Sequence, residues 1–160
     1  MTFQEVKEKF EEERATEDGY KIMNKVTDLI NHIGSDFLTM DGGELSDVRT
    51  KLAGYKFHIS DYIHDLHRIS KSIDIDLKNK KAKDWDRITE EIKARDGKVK
   101  NKTQIENVLE LATKEEQYSL MLYETMYYKY KMKVSAIDDV LMAITQRVKT
   151  LQKELEQQNL

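Results

Sequence analysis

Cysteine and proline do not occur in this 160-residue sequence, and glycine occurs only six times. The lack of cysteine excludes disulfides and cysteine-ligated zinc, and the lack of proline removes the residue that breaks helices most strongly. No apolar run approaches the roughly 20 residues that span a bilayer, and the acidic N-terminal segment is unlike a secretory signal. We therefore expect a cytoplasmic protein with no membrane partner.

Charged residues make up 36% of the chain and hydrophobic residues 39%, with a formal net charge of −3. This composition is typical of helices that pack along narrow seams. The charge is unevenly distributed, because residues 1–19 are acidic whereas residues 78–102 hold ten Lys and Arg against five Asp and Glu. We interpret residues 1–43 as an acidic helical region and residues 44–160 as a helical core.

The C-terminal region has the clearest helical pattern, with apolar side chains recurring every three or four residues. Neither glycine nor proline occurs after residue 102, and Thr103 and Glu106 have the spacing of a capping box. The pattern therefore predicts one helix over residues 103–157. Its apolar stripe consists of Tyr127, Tyr130, Val134, Ile137, Leu141, Ile144, Val148 and Leu151.

A second long helix is predicted over residues 46–95. Ser46 or Asp47 can cap its beginning, and Gly97 is suited to the turn that ends it. The apolar stripe changes phase near residues 74–84, so the continuity of the helix there stays open. Because only a short basic loop separates the two long helices, we expect them to be antiparallel.

Two shorter helices are predicted over residues 2–16 and 20–40, with a break at Glu17-Asp18-Gly19. The expected fold is all-α: a long antiparallel helical hairpin with two shorter N-terminal helices and coiled-coil-like packing. Such a hairpin buries little surface per residue, which favours assembly of several copies. The C-terminal seam can contact other copies of the chain or pair with helices of the same chain. We expect contact with other copies for Val134, Ile137, Leu141, Ile144, Val148 and Leu151.

Motifs of catalysis are lacking: there is no GxSxG, phosphate-binding glycine loop or HExxH. We expect a non-enzymatic protein without a cofactor. One helix segment has five side chains of metal-ligand type, but no second cluster accompanies it, and a solvated polar face explains it equally well. No metal site is therefore predicted at His58, Asp61, His64, Asp65 and His67.

The basic segment is the first candidate for binding nucleic acid, because several cations in one stretch can contact a phosphate backbone. Trp85, the only tryptophan, could stack on an unpaired base or belong to the helix core. A solvated helix face is the alternative explanation for the lysines. The candidate contacts are Lys78, Lys80, Lys81, Lys83, Arg87, Lys98 and Lys100.

A second candidate lies in the last helix, where tyrosines alternate with lysines. Interleaved aromatic and cationic side chains are typical of surfaces that bind single strands. Because other tyrosines belong to the apolar stripe, the expected contacts are Tyr128, Lys129 and Lys131.

These two segments resemble phage recombination mediators of the UvsY type. The matching residues are Lys80-Lys81 followed by Arg87-Ile88, and Glu124-Thr125 followed by Leu141, Ala143, Ile144 and Arg147. Members of that family are small, helical, ring-forming homo-oligomers that bind single-stranded DNA and help a recombinase replace single-strand-binding protein.

The resemblance implies a recombination mediator located in the host cytoplasm. It assigns DNA contact to Lys80, Lys81 and Arg87, and assembly to the seam over residues 134–151. Its partners would be single-stranded DNA, a recombinase, single-strand-binding protein and further copies of the chain.

Two other functions fit the same patterns. A phage structural, scaffolding or adaptor coiled coil would use the same seams and need the lysines only for solubility. A small inhibitor of a host protein would use the acidic segment, residues 1–19, to imitate a strand of phosphates.

Overall fold

A computed structural model describes residues 3–12, 14–98 and 102–158, which form five α-helices and no strand. This confirms the all-α prediction. The helices are α1 (Phe3–Glu12), α2 (Arg14–Asp36), α3 (Gly42–Asp96), α4 (Lys102–Ala112) and α5 (Lys114–Gln158).

Helix α3 begins with a capping box built on Asp41. The Asp41 Oδ1 atom accepts hydrogen bonds from the backbone N–H groups of Gly43, at 2.7 Å, and Glu44, at 2.8 Å. In return, the Glu44 carboxylate accepts the Asp41 N–H at 2.9 Å. The prediction of a cap at Ser46 or Asp47 was wrong, because this reciprocal pairing satisfies the first helical N–H groups five to six residues earlier.

Helix α3 continues through residues 74–84 without interruption and ends at Asp96. Gly97 has a φ of +75° and donates its N–H to the Lys93 carbonyl at 2.8 Å. This left-handed conformation favours glycine. The prediction that the helix ends at Gly97 is therefore confirmed.

The single helix predicted over residues 103–157 was wrong, because a one-residue turn at Thr113 separates α4 from α5. Thr113 is fully buried, and its hydroxyl donates to the Leu109 carbonyl at 2.8 Å. The Gln117 amide donates to the same hydroxyl at 2.9 Å. The backbone bonds from the Thr113 N–H to the Leu109 carbonyl, at 3.0 Å, and from the Gln117 N–H to the Thr113 carbonyl, at 3.1 Å, are kept, so the interruption is confined to one residue. Helix α4 begins at Lys102, one residue before the predicted cap.

The predicted break at residues 17–19 was also wrong, because α2 runs through them from Arg14. Gly19 is buried against the ring of Tyr130, and a Cβ atom there would lie 1.9 Å from the tyrosine oxygen. This glycine therefore serves close packing between two helices and does not form a turn. Helix α2 ends at Asp36, whose carbonyl accepts the N–H groups of Thr39 and Met40.

The chain divides into two compact units, each containing part of α3 and part of α5. Unit 1 comprises Met1–Glu13 and Leu66–Met126, and unit 2 comprises Arg14–Asp65 and Tyr127–Leu160. The division into residues 1–43 and 44–160 stays a prediction.

In unit 1, α3 packs against α4 and the beginning of α5. Its aliphatic cluster has Trp85 packed against it, and the rings of Phe10 and Tyr123 meet edge to face at 4.7 Å. Ile88 of α3 shares this cluster with Ile105 of α4, whereas Lys80, which lies earlier on α3, forms an ion pair with Glu116, which lies later in the chain on α5. The packed segments are therefore antiparallel. The buried members of the cluster are Ile88, Ile92, Ile105 and Leu109.

In unit 2, α2, α3 and α5 surround an apolar core. Lys56 contacts Asp138 at 2.6 Å and the ring of Tyr62 lies 6.4 Å from that of Tyr130, so α3 and α5 are antiparallel here too. Packing between the long helix and the C-terminal helix, as predicted, is therefore present in each unit. The fully buried residues of unit 2 include Val26, Leu45, Leu52, Ile59, Tyr130, Ile137 and Ile144.

Candidate functional site

The basic segment lies mostly on the second half of α3, in unit 1. Because successive residues of an α-helix are rotated by 100°, cations at neighbouring positions do not share a face. Lys81 and Lys83, for example, leave the helix about 160° apart. The helical geometry therefore distributes these cations around α3, whereas a phosphate-binding surface needs them along one side.

Several of these cations are held by carboxylates of the same unit. The Lys78 ammonium lies 2.8 Å from Asp74, one turn earlier on α3. The Lys80 ammonium donates to Glu116 of α5, and this hydrogen bond raises the pKa of Lys80. Partial burial works to raise the pKa of Glu116, but the contact with Lys80 outweighs it and leaves that pKa below its usual value.

Arg87 is paired on both sides along its own helix. Its guanidinium lies 2.6 Å from Glu91 and 3.0 Å from Asp84, and the two hydrogen bonds, chiefly the one to Glu91, raise its pKa. The cations that follow are also paired: Lys93 with Glu90, Arg95 with Asp96 and Lys102 with Glu106. Much of the positive charge of the segment is thus neutralised within the chain.

Lys81, Lys83 and Lys98 differ, since none of them forms an ion pair with another described residue. Lys81 and Trp85 line a groove of about 570 Å³ between α3 and α4. The opposite wall carries Glu106 and Glu110, so the groove has mixed charge. Lys100 lies outside the described residues.

The Tyr–Lys candidates belong to unit 2, whereas the α3 cations belong to unit 1. Tyr128 is 61% exposed and Lys129 is exposed as well. The Lys131 ammonium lies 5.3 Å from the centre of the Tyr127 ring, at a distance suited to a cation–π contact. These side chains are accessible on α5.

The C-terminal seam is already used inside the chain. Ile137 and Ile144 are fully buried within one copy. Packing of α5 against α2 and α3 of the same chain accounts for their burial. Pairing within the chain is the alternative that the sequence left open for this stripe. The remaining members, which are half-buried, are Val134, Leu141, Val148 and Leu151.

The most exposed apolar surface of α5 lies on its opposite side, which the sequence analysis considered only for nucleic-acid contact, at Tyr128 and Lys131. Met132 is 73% exposed and Met142 is 59% exposed, in addition to Tyr128. These apolar residues share one side of the helix, displaced by about half a turn from the buried residues, but steps of four and ten residues separate them, so no continuous three-and-four pattern marks this stripe. We name the following set the outer face of α5: Tyr128, Lys131, Met132, Ser135, Asp139 and Met142.

No group of three or more His, Asp or Glu side chains within the described ranges is arranged to hold a metal ion. Among the histidine and aspartate candidates, His58, Asp61 and His64 are exposed on α3. No helix of the described chain combines the length and the apolar character needed to cross a membrane.

The acidic segment is described only in part. Glu8 is exposed on α1 and accepts a hydrogen bond from the Gln4 amide at 3.0 Å. The side chains of Glu11, Glu12 and Glu17 lie outside the described set, so the phosphate-mimic hypothesis stays a prediction.

Comparison of the chain with protein-family models, with curated proteins and with solved structures gave no match. The resemblance to mediators of the UvsY type therefore stays a hypothesis.

Proposed function

We propose that this protein is a non-enzymatic helical assembly protein, a structural or adaptor component that associates with protein chains, further copies of its own chain among them. The observation that carries the proposal is the outer face of α5, where Tyr128, Met132 and Met142 expose most of their apolar surface. Groups of large exposed apolar side chains mark sites of protein association, because water contact with them is unfavourable.

The ion pairs of unit 1 favour this function over nucleic-acid binding. A phosphate group would have to displace Asp74 from Lys78 and Glu116 from Lys80 before either lysine could contact it. Counterion release, the main source of affinity for a nucleic-acid strand, is correspondingly smaller when a protein carboxylate already neutralises the cation.

A recombination mediator that binds single-stranded DNA is the second candidate. It is favoured by one specific observation, the proximity of Lys81 to the half-buried Trp85 in the groove between α3 and α4. Lys83 adds a further cation without a carboxylate partner among the described residues. A recombinase and single-strand-binding protein become partners only if the resemblance to the UvsY type holds.

Light scattering with and without an oligo-dT strand tests the two functions together. The assembly function predicts a mass above that of one chain, rising with protein concentration and unchanged by the oligonucleotide. A mass of one chain at every concentration would overturn it.

The same samples address DNA binding through fluorescence anisotropy of labelled oligo-dT. For the assembly protein we expect no binding at low salt. Binding that weakens steeply with salt, and whose salt slope falls in the variant Lys81→Ala/Lys83→Ala, would establish the second candidate instead. The matched control is Lys25→Ala/Lys149→Ala, which removes two exposed lysines of unit 2.

A further inference from the structure

The outer face of α5 is a narrow stripe centred on Ser135. At 100° per residue, Tyr128 and Met142 leave the helix within about 20° of Ser135. The buried residues Ile137 and Ile144 leave it on the opposite side. The stripe therefore points away from the core of unit 2 and is accessible along its length.

Four side chains of this stripe are placed symmetrically about Ser135, whereas Met132 is not, since the residue at the equivalent position after Ser135 is Asp138. Lys131 lies four residues before Ser135 and Asp139 four residues after it, so opposite charges are equidistant from the centre. Tyr128 lies seven residues before and Met142 seven residues after, so an aromatic ring and a thioether are equidistant as well. A surface of this kind is complementary to itself when a two-fold axis passes through its centre.

An antiparallel pair of α5 helices would use the symmetric placement of these four side chains. Lys131 of each copy would face Asp139 of the other, and Tyr128 would face Met142, a favourable contact of sulfur with an aromatic ring. Ser135, at the axis, is small enough to let the two helices approach closely. A parallel pair would instead place Lys131 against Lys131 and Asp139 against Asp139, which is repulsive.

The charged groups of the stripe are available for this contact. Asp139 is exposed and has no ion pair with any described residue, whereas its neighbour Asp138 is held by Lys56. Lys131 is exposed and lies over the Tyr127 ring. It has no carboxylate partner among the described residues.

We propose that two copies of this chain pack antiparallel through the outer face of α5, with the two-fold axis at Ser135. The inference rests on the proposed function and names one of its partners, a second copy. The stripe from Tyr128 to Met142 is about 21 Å long, so the interface is small, and the expected dissociation constant is on the order of micromolar.

Charge reversal tests the pairing by sedimentation velocity over a range of concentrations. Asp139→Lys alone and Lys131→Asp alone each create two like-charge contacts, and each should weaken association at least about tenfold. The double variant Lys131→Asp/Asp139→Lys should restore it. The control, Asp28→Lys, reverses an exposed charge on α2 and should leave association unchanged. Circular dichroism verifies that every variant is folded.

Cysteine cross-linking tests the direction of packing, and the absence of native cysteine makes each introduced thiol unique. Ser135→Cys should form a disulfide dimer under mild oxidation. Tyr128→Cys alone should not, since its two copies would be about 21 Å apart. A mixture of Tyr128→Cys with Met142→Cys should cross-link to the heterodimer.

Two results would overturn the inference while leaving the proposed function intact. One is association of the wild-type chain that neither single charge reversal weakens. The other is efficient cross-linking of Tyr128→Cys with itself, which indicates a parallel pair. A wild-type chain that never associates contradicts the proposed function itself, so the two failures are distinguishable.

Discussion

Units 1 and 2 are both built from antiparallel segments of α3 and α5, yet their charged and apolar side chains are placed differently. In unit 1, cations such as Lys80 and Arg87 are paired with carboxylates on the surface, and Trp85 packs against an aliphatic cluster. In unit 2, Tyr130 is buried in the core, and the exposed Tyr128, Met132 and Met142 share one side of α5. The exposed large apolar side chains of unit 1 lie on three different helices, α3, α4 and α5: Ile75, Leu111 and Met121. The density of lysine is therefore a poor guide to an open binding surface, whereas the apolar exposure along one side of α5 is the observation on which the proposed assembly rests.

Truncating the isoleucine cluster should produce the largest effect in unit 1. Ile88 is 1% exposed, so Ile88→Ala should lower the free energy of unfolding by about 2–5 kcal/mol through lost burial and a residual cavity. Trp85 packs against the same cluster. Denaturant titration followed by the fluorescence of this single tryptophan therefore measures the loss where it occurs.

Ile75→Ala is the matched control, because Ile75 lies on the same helix and in the same unit but is 57% exposed. Its substitution should change the free energy of unfolding by no more than about 0.5 kcal/mol. Equal effects of the two variants would contradict the described core of unit 1.

Two glycine substitutions test how closely the helices of unit 2 are packed. Alanine normally stabilises a helix relative to glycine, and Gly34→Ala, whose Cβ meets nothing within 4 Å, should raise the free energy of unfolding by about 0.5–1 kcal/mol. Gly19→Ala should lower it by about 1–3 kcal/mol, because the new Cβ overlaps the buried Tyr130 side chain. Thermal unfolding followed by circular dichroism compares the two variants.

Tyr130→Phe provides the control for the cause of the Gly19 effect. The Tyr130 hydroxyl is buried without a hydrogen-bond partner among the described residues, and burial raises its pKa. Removing it should reduce the cost of Gly19→Ala in a double-mutant cycle. Strict additivity of the two substitutions would show that the alanine clashes with something else.

The helices could be predicted from the sequence wherever apolar periodicity and a special backbone conformation agreed. The stripe of α3 and the left-handed Gly97 are of this kind. The errors occurred where one residue had two physical roles. Gly19 was interpreted as a turn although it makes room for Tyr130, and Thr113 was given no role although its buried hydroxyl bonds the Leu109 carbonyl at the boundary between α4 and α5.

The candidate site was harder to predict because the partner of a charge is set by tertiary structure. The pairing of Lys80 joins positions 36 residues apart and requires the observed register of α3 against α5. The outer face of α5 also lies on one side of the helix, although its apolar members, Tyr128, Met132 and Met142, are four and ten residues apart. Which of two stripes is buried depends, however, on where α2 and α3 pack.

The ion pair between Lys80 and Glu116 should give the smallest of these effects, and its dependence on pH identifies it. Glu116 has a lowered pKa in the folded chain, so its contribution to stability is present above its ordinary value of 4.5 and is lost as the pH falls through the folded pKa. Lys80 has a raised pKa, so its contribution is present below 10.5 and is lost as the pH rises through the folded value. The pair therefore stabilises unit 1 between about pH 5 and pH 10.

Glu116→Gln should remove this contribution, which solvent screening limits to about 0.5 kcal/mol because both side chains are a third or more exposed to solvent. Denaturant titrations of the wild-type and variant chains, followed by Trp85 fluorescence, should differ at pH 7 and converge at pH 3, where the glutamate is protonated. Asp28→Asn, at an exposed position of unit 2 with no ion pair to a described residue, is the control and should show no such convergence. If the difference caused by Glu116→Gln were equally large at both pH values, it would come from altered packing, and neutralisation of Lys80 would lose its support as an argument against phosphate binding in unit 1.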